Sequence, residues 1–453
     1  MKTRVRSLAV LTGTAVAVGV ATLAWSAGGG ARGVASAAND VNQSAHADAA
    51  ARVAFSAGSG RLVVDWNSEL LRIERTAGAQ PASVHSTRSS ALLQASIYDA
   101  VVSITHADSA YAFTVVAPAH ARPDAAADQA AHDVLVALFP SFATQLDGML
   151  ASELSAIPAG AARQAGEVAG SRVATLMLAL RAGDGSANPA PLFVAGNQPG
   201  NYQVTPPNQG KQPTFTGWGR VTPWVLDSGS QFRPGAPPAL ASAAWATAIN
   251  QVQRLGGGQG TPSARTADQT QIGLFWAPPI WNTWNEIAGG QVIARRANLE
   301  TAAHLFADLD ITFADSAIAF YDAKYTYAFW RPITAIRAGT PGNAAVDPAN
   351  PTWNPQVATA LDPSYPGAHA TISEAGAAIL SSFFGPRVDL IVHSDAAGFA
   401  NVTRSFPSFQ AAADEASLSR ILAGQHTAID EAAGTDLGGD IARFVLAQPF
   451  GQR

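Results

Sequence analysis

Cysteine is absent from the 453 residues, which excludes a disulfide scaffold, a thiolate metal site, a cysteine nucleophile and a lipidated cysteine anchor. Charge is scarce as well. Asp, Glu, Lys and Arg make up 13% of the chain, against about 25% in ordinary soluble proteins. Any local gathering of charge therefore stands out. The nine histidines include no H-E-x-x-H and no close pair, so a zinc site is not indicated. Neither a Walker loop nor a Rossmann fingerprint occurs. What the chain does have is apolar material: 47% hydrophobic residues exclude a disordered chain, and the length suits two structural units or one large one.

The first 37 residues have the layout of a secretory leader. Lys2, Arg4 and Arg6 form a basic start, an apolar run extends from Leu8 to Trp25, and Ala35-Ser36-Ala37 offers a small-x-small cleavage site. A secreted, extracellular protein is the expectation. Removing the four basic residues of 1–37 leaves 24 basic against 33 acidic residues, a balance of −9 that argues against nucleic acid as a partner. No later segment offers about 18 uninterrupted apolar residues, so no membrane association is expected once the leader is gone.

The remainder reads as all-α. Ala- and Leu-rich segments at helical spacing predict helices over 86–105, 123–139, 141–156 and 160–182, which make an amino-terminal helical unit over 38–182. Arg61 to Asp65 is the best strand candidate. Between 183 and 238, Pro, Gly, Asn and Gln dominate, with Phe215, Trp218 and Trp224 interspersed; this reads as an ordered, packed loop. Helical patterning resumes at 239–254, 265–276, 283–299 and 300–330. It returns at 369–384, 410–422 and 426–447, giving a second helical unit over 239–453.

Three windows in that second unit gather charge. Lys324 and Arg331 are seven residues apart, which places both on one helix face, with Pro332 ending the helix just beyond. Two such cations repel unless an anion lies between them, although they also suit a snorkelling surface pair. In the second window, Pro366-Gly367-Ala368-His369 opens an apolar helix. Gly367 and Ala368 let an anion approach the free amides, and His369 sits in the first turn, as a capping residue or beside a ligand. In the third, Arg420 precedes His426 by six residues, and Gly424 allows a break through which both converge. Asp430, one turn after His426, can fix the imidazole tautomer or form an ordinary surface pair. Together these residues describe a pocket for a tetrahedral oxyanion: arginine forks and a lysine, helix amides, and two flanking histidines. Phe275, Trp276, Trp281 and Trp284 read as core, and His304 and His393, without an evident partner, as surface or satisfied core residues; Asp362, ahead of the Pro-rich approach to the anion-binding turn, reads as a turn former or a residue bordering the leaving-group side.

The order Lys-x6-Arg-Pro, Pro-x-x-His, Arg-x5-His resembles the superfamily of vanadium-dependent haloperoxidases and type 2 phosphatidic acid phosphatases. The phrase from Ala328 to Arg337 resembles its secreted bacterial haloperoxidase-like branch. The resemblance implies paired four-helix bundles and a vanadate cofactor, with hydrogen peroxide and a halide as substrates. Lys324, Arg331 and Arg420 would bind the equatorial oxygens, and His369 would act as acid/base. His426 would be the vanadium ligand. In the phosphatase alternative there is no cofactor: His426 attacks a phosphate ester to form a phosphohistidine, oriented by Asp430. A third possibility is a non-enzymatic anion-binding protein on the same scaffold. One departure is plain, because the family usually reads Pro-Ser-Gly-His and Gly367 removes that serine hydroxyl. Its loss would weaken anion binding by on the order of 1–3 kcal/mol.

Overall fold

The computed structural model describes residues 59–79, 84–448 and 450. The leader expected over 1–37 lies outside the described residues. Within them the protein is all-α, with thirteen α-helices and one pair of short strands. The amino-terminal part comprises α1 (Arg61–Glu74), α2 (His85–Thr105), α3 (Pro123–Leu138), α4 (Ala143–Ser155) and α5 (Ala161–Arg181). After the irregular segment come α6 (Ala243–Leu255), α7 (Ala267–Phe275), α8 (Ile280–Arg295) and α9 (Leu299–Tyr327). The remaining helices are α10 (Pro332–Ala338), α11 (Ala368–Phe384), α12 (Phe409–Leu422) and α13 (Ala428–Ala447).

Arg61 to Asp65, read as a strand, is the first turn of α1. Leu62, Trp66, Leu70 and Ile73 recur at helical spacing and are buried, and that stripe outweighs the β-branched pair Val63-Val64. The only strands among the described residues, β1 (Leu390–His393) and β2 (Thr403–Phe406), pair antiparallel as a four-residue ribbon, too short to register in the sequence pattern.

The 29-residue helix α9 organises the core. It is buried on nearly every face, packing against α2, α11 and α13. Asn298 caps its start by accepting from the Thr301 amide at 2.8 Å. The largest apolar cluster runs from Leu62 to Phe450, so helices from both ends of the chain share it.

The irregular segment 183–238 is pinned to this helix by polar contacts. Asp315, fully buried on α9, accepts from the amides of Trp224, Val225 and Leu226 at 2.7, 2.8 and 2.9 Å. Arg233 makes a paired contact with Asp322 about two turns further on. A buried carboxylate facing three amide donors is satisfied, so the loop is held although its one regular element is the single 3-10 turn Trp218–Arg220.

Candidate oxyanion site

Lys324 occupies the last full turn of α9 and is wholly buried. Its Nζ donates to the carbonyls of Pro363 and Ser364 at 2.5 and 3.1 Å and lies 3.8 Å from Asp362 Oδ2. Helix periodicity does not bring Arg331 alongside it, as the seven-residue spacing suggested. The helix stops at Tyr327, Ala328 turns into the left-handed region at φ 41°, and the chain runs extended to Arg331. Pro332 starts α10, with Arg331 as its N-cap residue, and does not end α9. The Ala328 corner is unfavourable for a non-glycine residue. The irregular segment holds it: the Tyr202 amide donates to the Ala328 carbonyl at 2.7 Å, and the Trp330 amide to the Gly200 carbonyl at 2.9 Å.

Arg331, 1% exposed, spends its guanidinium on several partners. Nε donates to the Asp362 carbonyl at 2.8 Å, Nη2 to Asp362 Oδ1, and Nη1 to the Gln425 carbonyl at 3.0 Å. Asp362 is therefore not a simple turn former. It is the buried counter-ion of two cations, and its carboxyl lies below the ordinary range: burial works against its charge, but Lys324 and Arg331 overcome that penalty. Lys324 is pushed down to about 8, chiefly by burial.

Arg420 arrives from the last turn of α12. Its Nε and Nη1 are buried and make no hydrogen bond within the described structure, and burial pulls the group down to about 10. Buried guanidinium nitrogens without partners are costly, and such a group marks a place prepared for an anion. Gly424, at φ 75°, breaks the chain between α12 and α13; a side chain there would run into Gly256 and Trp353.

His426 follows that break, two residues before α13, so it stands outside the helix and the one-turn relation to Asp430 does not apply. Their closest approach is 3.8 Å. Asp430 instead forms a capping box with Thr427, accepting from its amide at 2.7 Å and its hydroxyl at 3.0 Å. It reaches the imidazole through Ser364, whose Oγ donates to Asp430 Oδ2 at 2.9 Å and lies 3.4 Å from His426 Nδ1. On the other edge of the ring, Arg331 Nη1 lies 3.1 Å from Nε2. A guanidinium can only donate, so Nε2 carries the lone pair and Nδ1 the proton. Burial, followed by the fields of Arg331, Lys324 and Arg420, holds His426 well below its ordinary value and keeps it neutral.

His369 lies in the first turn of α11, whose N-cap is Gly367. Its Nε2 donates to the Trp276 carbonyl at 3.0 Å, and the Pro278 backbone also engages the ring. Desolvation and then Arg420 depress its basicity well below the ordinary value, although the side chain keeps partial solvent access. The Gly367 amide is not open to an anion, because it donates to the Asp430 carbonyl at 2.8 Å. The amides of Ala368 and His369 begin the helix and have no intrahelical acceptor.

The structure thus brings Lys324, Arg331, His369, Arg420 and His426 into one electrostatic neighbourhood, where each cation shifts at least one of the histidines. Asp362, Ser364 and Glu431 belong to the same cluster and were not singled out as site residues from sequence. Asp362 alone carried a signal, an acid one residue ahead of the Pro-rich approach in a charge-poor chain. Of the aromatic residues read as core, Phe275, Trp276 and Trp284 are fully enclosed, and the Trp276 carbonyl also orients His369. His304, read as without an evident partner, lies 3.4 Å from Asp308 and 3.7 Å from Asp108.

Residues 304–449 match the family described as the VCPO second helical-bundle domain. This region resembles that helical bundle. The superfamily resemblance read from the three windows is borne out. Vanadium chloroperoxidase from Curvularia inaequalis is 26% identical over 186 residues, a stretch that covers 34% of this chain and 30% of that enzyme. The chain therefore matches less than a third of that relative's length. A solved bacterial vanadium-dependent iodoperoxidase superposes with a TM-score of 0.72 at 22% identity, covering 86% of this chain and 97% of that one. A bacterial vanadium-dependent chloroperoxidase in its holo form superposes at 0.63 with 14% identity, covering 83% and 94%. These structural likenesses establish a shared fold over most of the chain.

Proposed function

We propose that this chain is a secreted vanadate-dependent haloperoxidase that oxidises a halide with hydrogen peroxide. The carrying observation is a neutral His426 whose Nε2 lone pair is turned toward Arg331, set among buried Lys324, Arg331 and Arg420, with Nε and Nη1 of Arg420 lacking a hydrogen-bond partner among the described residues. The donor set fits a tetrahedral oxyanion. Lys324 and Arg331 share one close carboxylate, Asp362, Arg420 feels chiefly Glu431, and both histidines are held neutral. Vanadate held there would supply an electron-poor centre that activates peroxide toward halide.

The chain's own contributions follow from the geometry. Arg420 supplies an unspent fork for the oxyanion, and Arg331 and Lys324 keep the surroundings positive while Asp362 holds them in place. Ser364 and Asp430 fix the proton on His426 Nδ1 and so aim Nε2 at the central atom. His369, tethered through Nε2, would take a proton from an approaching acid through its other nitrogen and return it. The secreted reading is supported by the basic start and apolar run of residues 1–37.

The relay from His426 through Ser364 to Asp430 favours a second reading, an acid phosphatase in which Nε2 attacks phosphorus. The same relay would stabilise the charge developing on a nucleophilic imidazole. Purified protein assayed in parallel separates the two. The leading reading expects peroxide-driven bromide or iodide oxidation that requires added vanadate. Hydrolysis of a phosphate monoester without vanadate supports the phosphatase. Phosphate binding with neither activity supports an anion carrier.

A further inference from the structure

A cavity of about 390 Å³ lies within the irregular segment and shares no lining residue with the oxyanion cluster. The stretches 185–191 and 213–221 supply most of its wall, and His85, at the start of α2, supplies the rest. The wall is preformed. Thr216 Oγ1 donates to the Pro191 carbonyl at 2.6 Å, and the Thr222 amide to the Asp184 carbonyl at 2.8 Å. The volume and the mixed aromatic and polar lining are those of a small-molecule site.

Three rings set its character. His85 and Phe215 each meet Trp218 edge to face, with centroids 4.6 and 6.1 Å from it. Trp218 is 5% exposed, and its buried Nε1 has no hydrogen-bond partner among the described residues. Phe215 holds a positive φ of 60°, a costly conformation for a bulky residue and one that recurs at ligand clamps. The charge of the lining has one sign. No carboxylate lines the cavity, and burial followed by Arg88 holds His85 below its ordinary value, as a neutral ring. Arg220 is exposed and makes no side-chain hydrogen bond or ion pair within the described structure.

We propose that this cavity binds a small aromatic anion, a carboxylate or phenolate on a flat ring, separately from the oxyanion pocket. The ring packs against Phe215 and Trp218, and Arg220 offers its free fork to the charge. A cationic guest would meet that arginine with no acid to balance it. One wall divides this cavity from the oxyanion cluster. The Phe215 ring lies 5.1 Å from that of Tyr321, whose hydroxyl bonds Asp362. Thr214 donates from its amide and hydroxyl to the Leu361 carbonyl at 2.8 and 3.1 Å. Occupancy of one pocket therefore leaves the other open, whether His426 holds vanadate or attacks phosphorus.

The test is isothermal titration of the purified full-length chain with 1-naphthoate, alone and with saturating inorganic phosphate. Circular dichroism confirms that each variant is folded. Wild type binds 1-naphthoate with the same affinity in both conditions and does not bind 1-naphthylmethylammonium. Arg220→Gln, at an exposed position, weakens binding by about three- to fivefold. Phe215→Gly removes the ring while suiting the positive φ, and weakens it by about tenfold. Displacement of 1-naphthoate by phosphate overturns the proposal, because the anion then sits in the oxyanion pocket, and it leaves that pocket's reading intact. Unchanged affinity in both variants, equal binding of the ammonium probe, or no binding by wild type overturns it as well.

Discussion

At the scale of single residues, the two histidines are neutral for the same reason and differ in what their nitrogens face. Burial among cations disfavours the charged imidazole in both. His426 presents Nε2 to the cation cluster with its proton held toward Ser364, and His369 is tied back to the Trp276 carbonyl. The assignment predicts separable losses. His426→Ala abolishes vanadate binding or the phosphoryl-enzyme, because it removes the Nε2 lone pair that faces the cation cluster. His369→Ala leaves anion binding measurable while turnover falls by about 10²–10⁴-fold. Equilibrium binding and steady-state kinetics on the same preparations check this. Unchanged peroxidase and phosphatase activity in His426→Ala contradicts it. The window residues were legible because each lies in a short local pattern. Asp362 showed only as an acid beside the Pro-rich approach, and its counter-ion role was hidden because it arises from contacts with Lys324 and Arg331, distant in the chain.

At the scale of elements, the site is built where helices stop. Lys324 precedes the corner at Ala328, Arg331 caps α10, His369 begins α11, and Arg420 and His426 flank the Gly424 break. Sequence spacing on a continuous helix misplaced the Lys324–Arg331 and His426–Asp430 relations for that reason: neither pair shares one helix. The break at Gly424 was legible, because glycine there allows the positive φ and the close approach to Gly256. Elsewhere α9 carries acids that serve structure. Asp310 is fully buried, accepts from Asn285 at 2.8 Å, and is pushed up to about 7 by burial. A carboxyl whose folded value exceeds its unfolded one contributes stability that is complete below about pH 4 and is lost as pH rises toward 7. Asp310→Asn removes that dependence. The difference in melting temperature, variant minus wild type, is expected to rise from pH 4 to pH 7 and then level off. A pH-independent offset contradicts the burial account.

At the scale of the whole molecule, a charge-poor chain has placed three cations and two neutral histidines together in a largely apolar helical protein. All-α character was legible from periodicity, because long buried helices such as α9 repeat their pattern many times over. The packing of early and late helices into one apolar cluster was not, since periodicity reports which face is buried and not what covers it. The clamp from the irregular segment onto Asp315 and the Ala328 corner was equally hidden, as its bonds run from backbone amides of no distinctive sequence. The central claim is that this assembly exists to hold an oxyanion against His426. A crystal structure of the protein soaked with orthovanadate tests it most directly. Vanadium density within bonding distance of His426 Nε2, its oxygens reaching Arg420 Nε and Nη1, is the predicted result. Density confined to other sites, with the Arg420 nitrogens still bare, would contradict it.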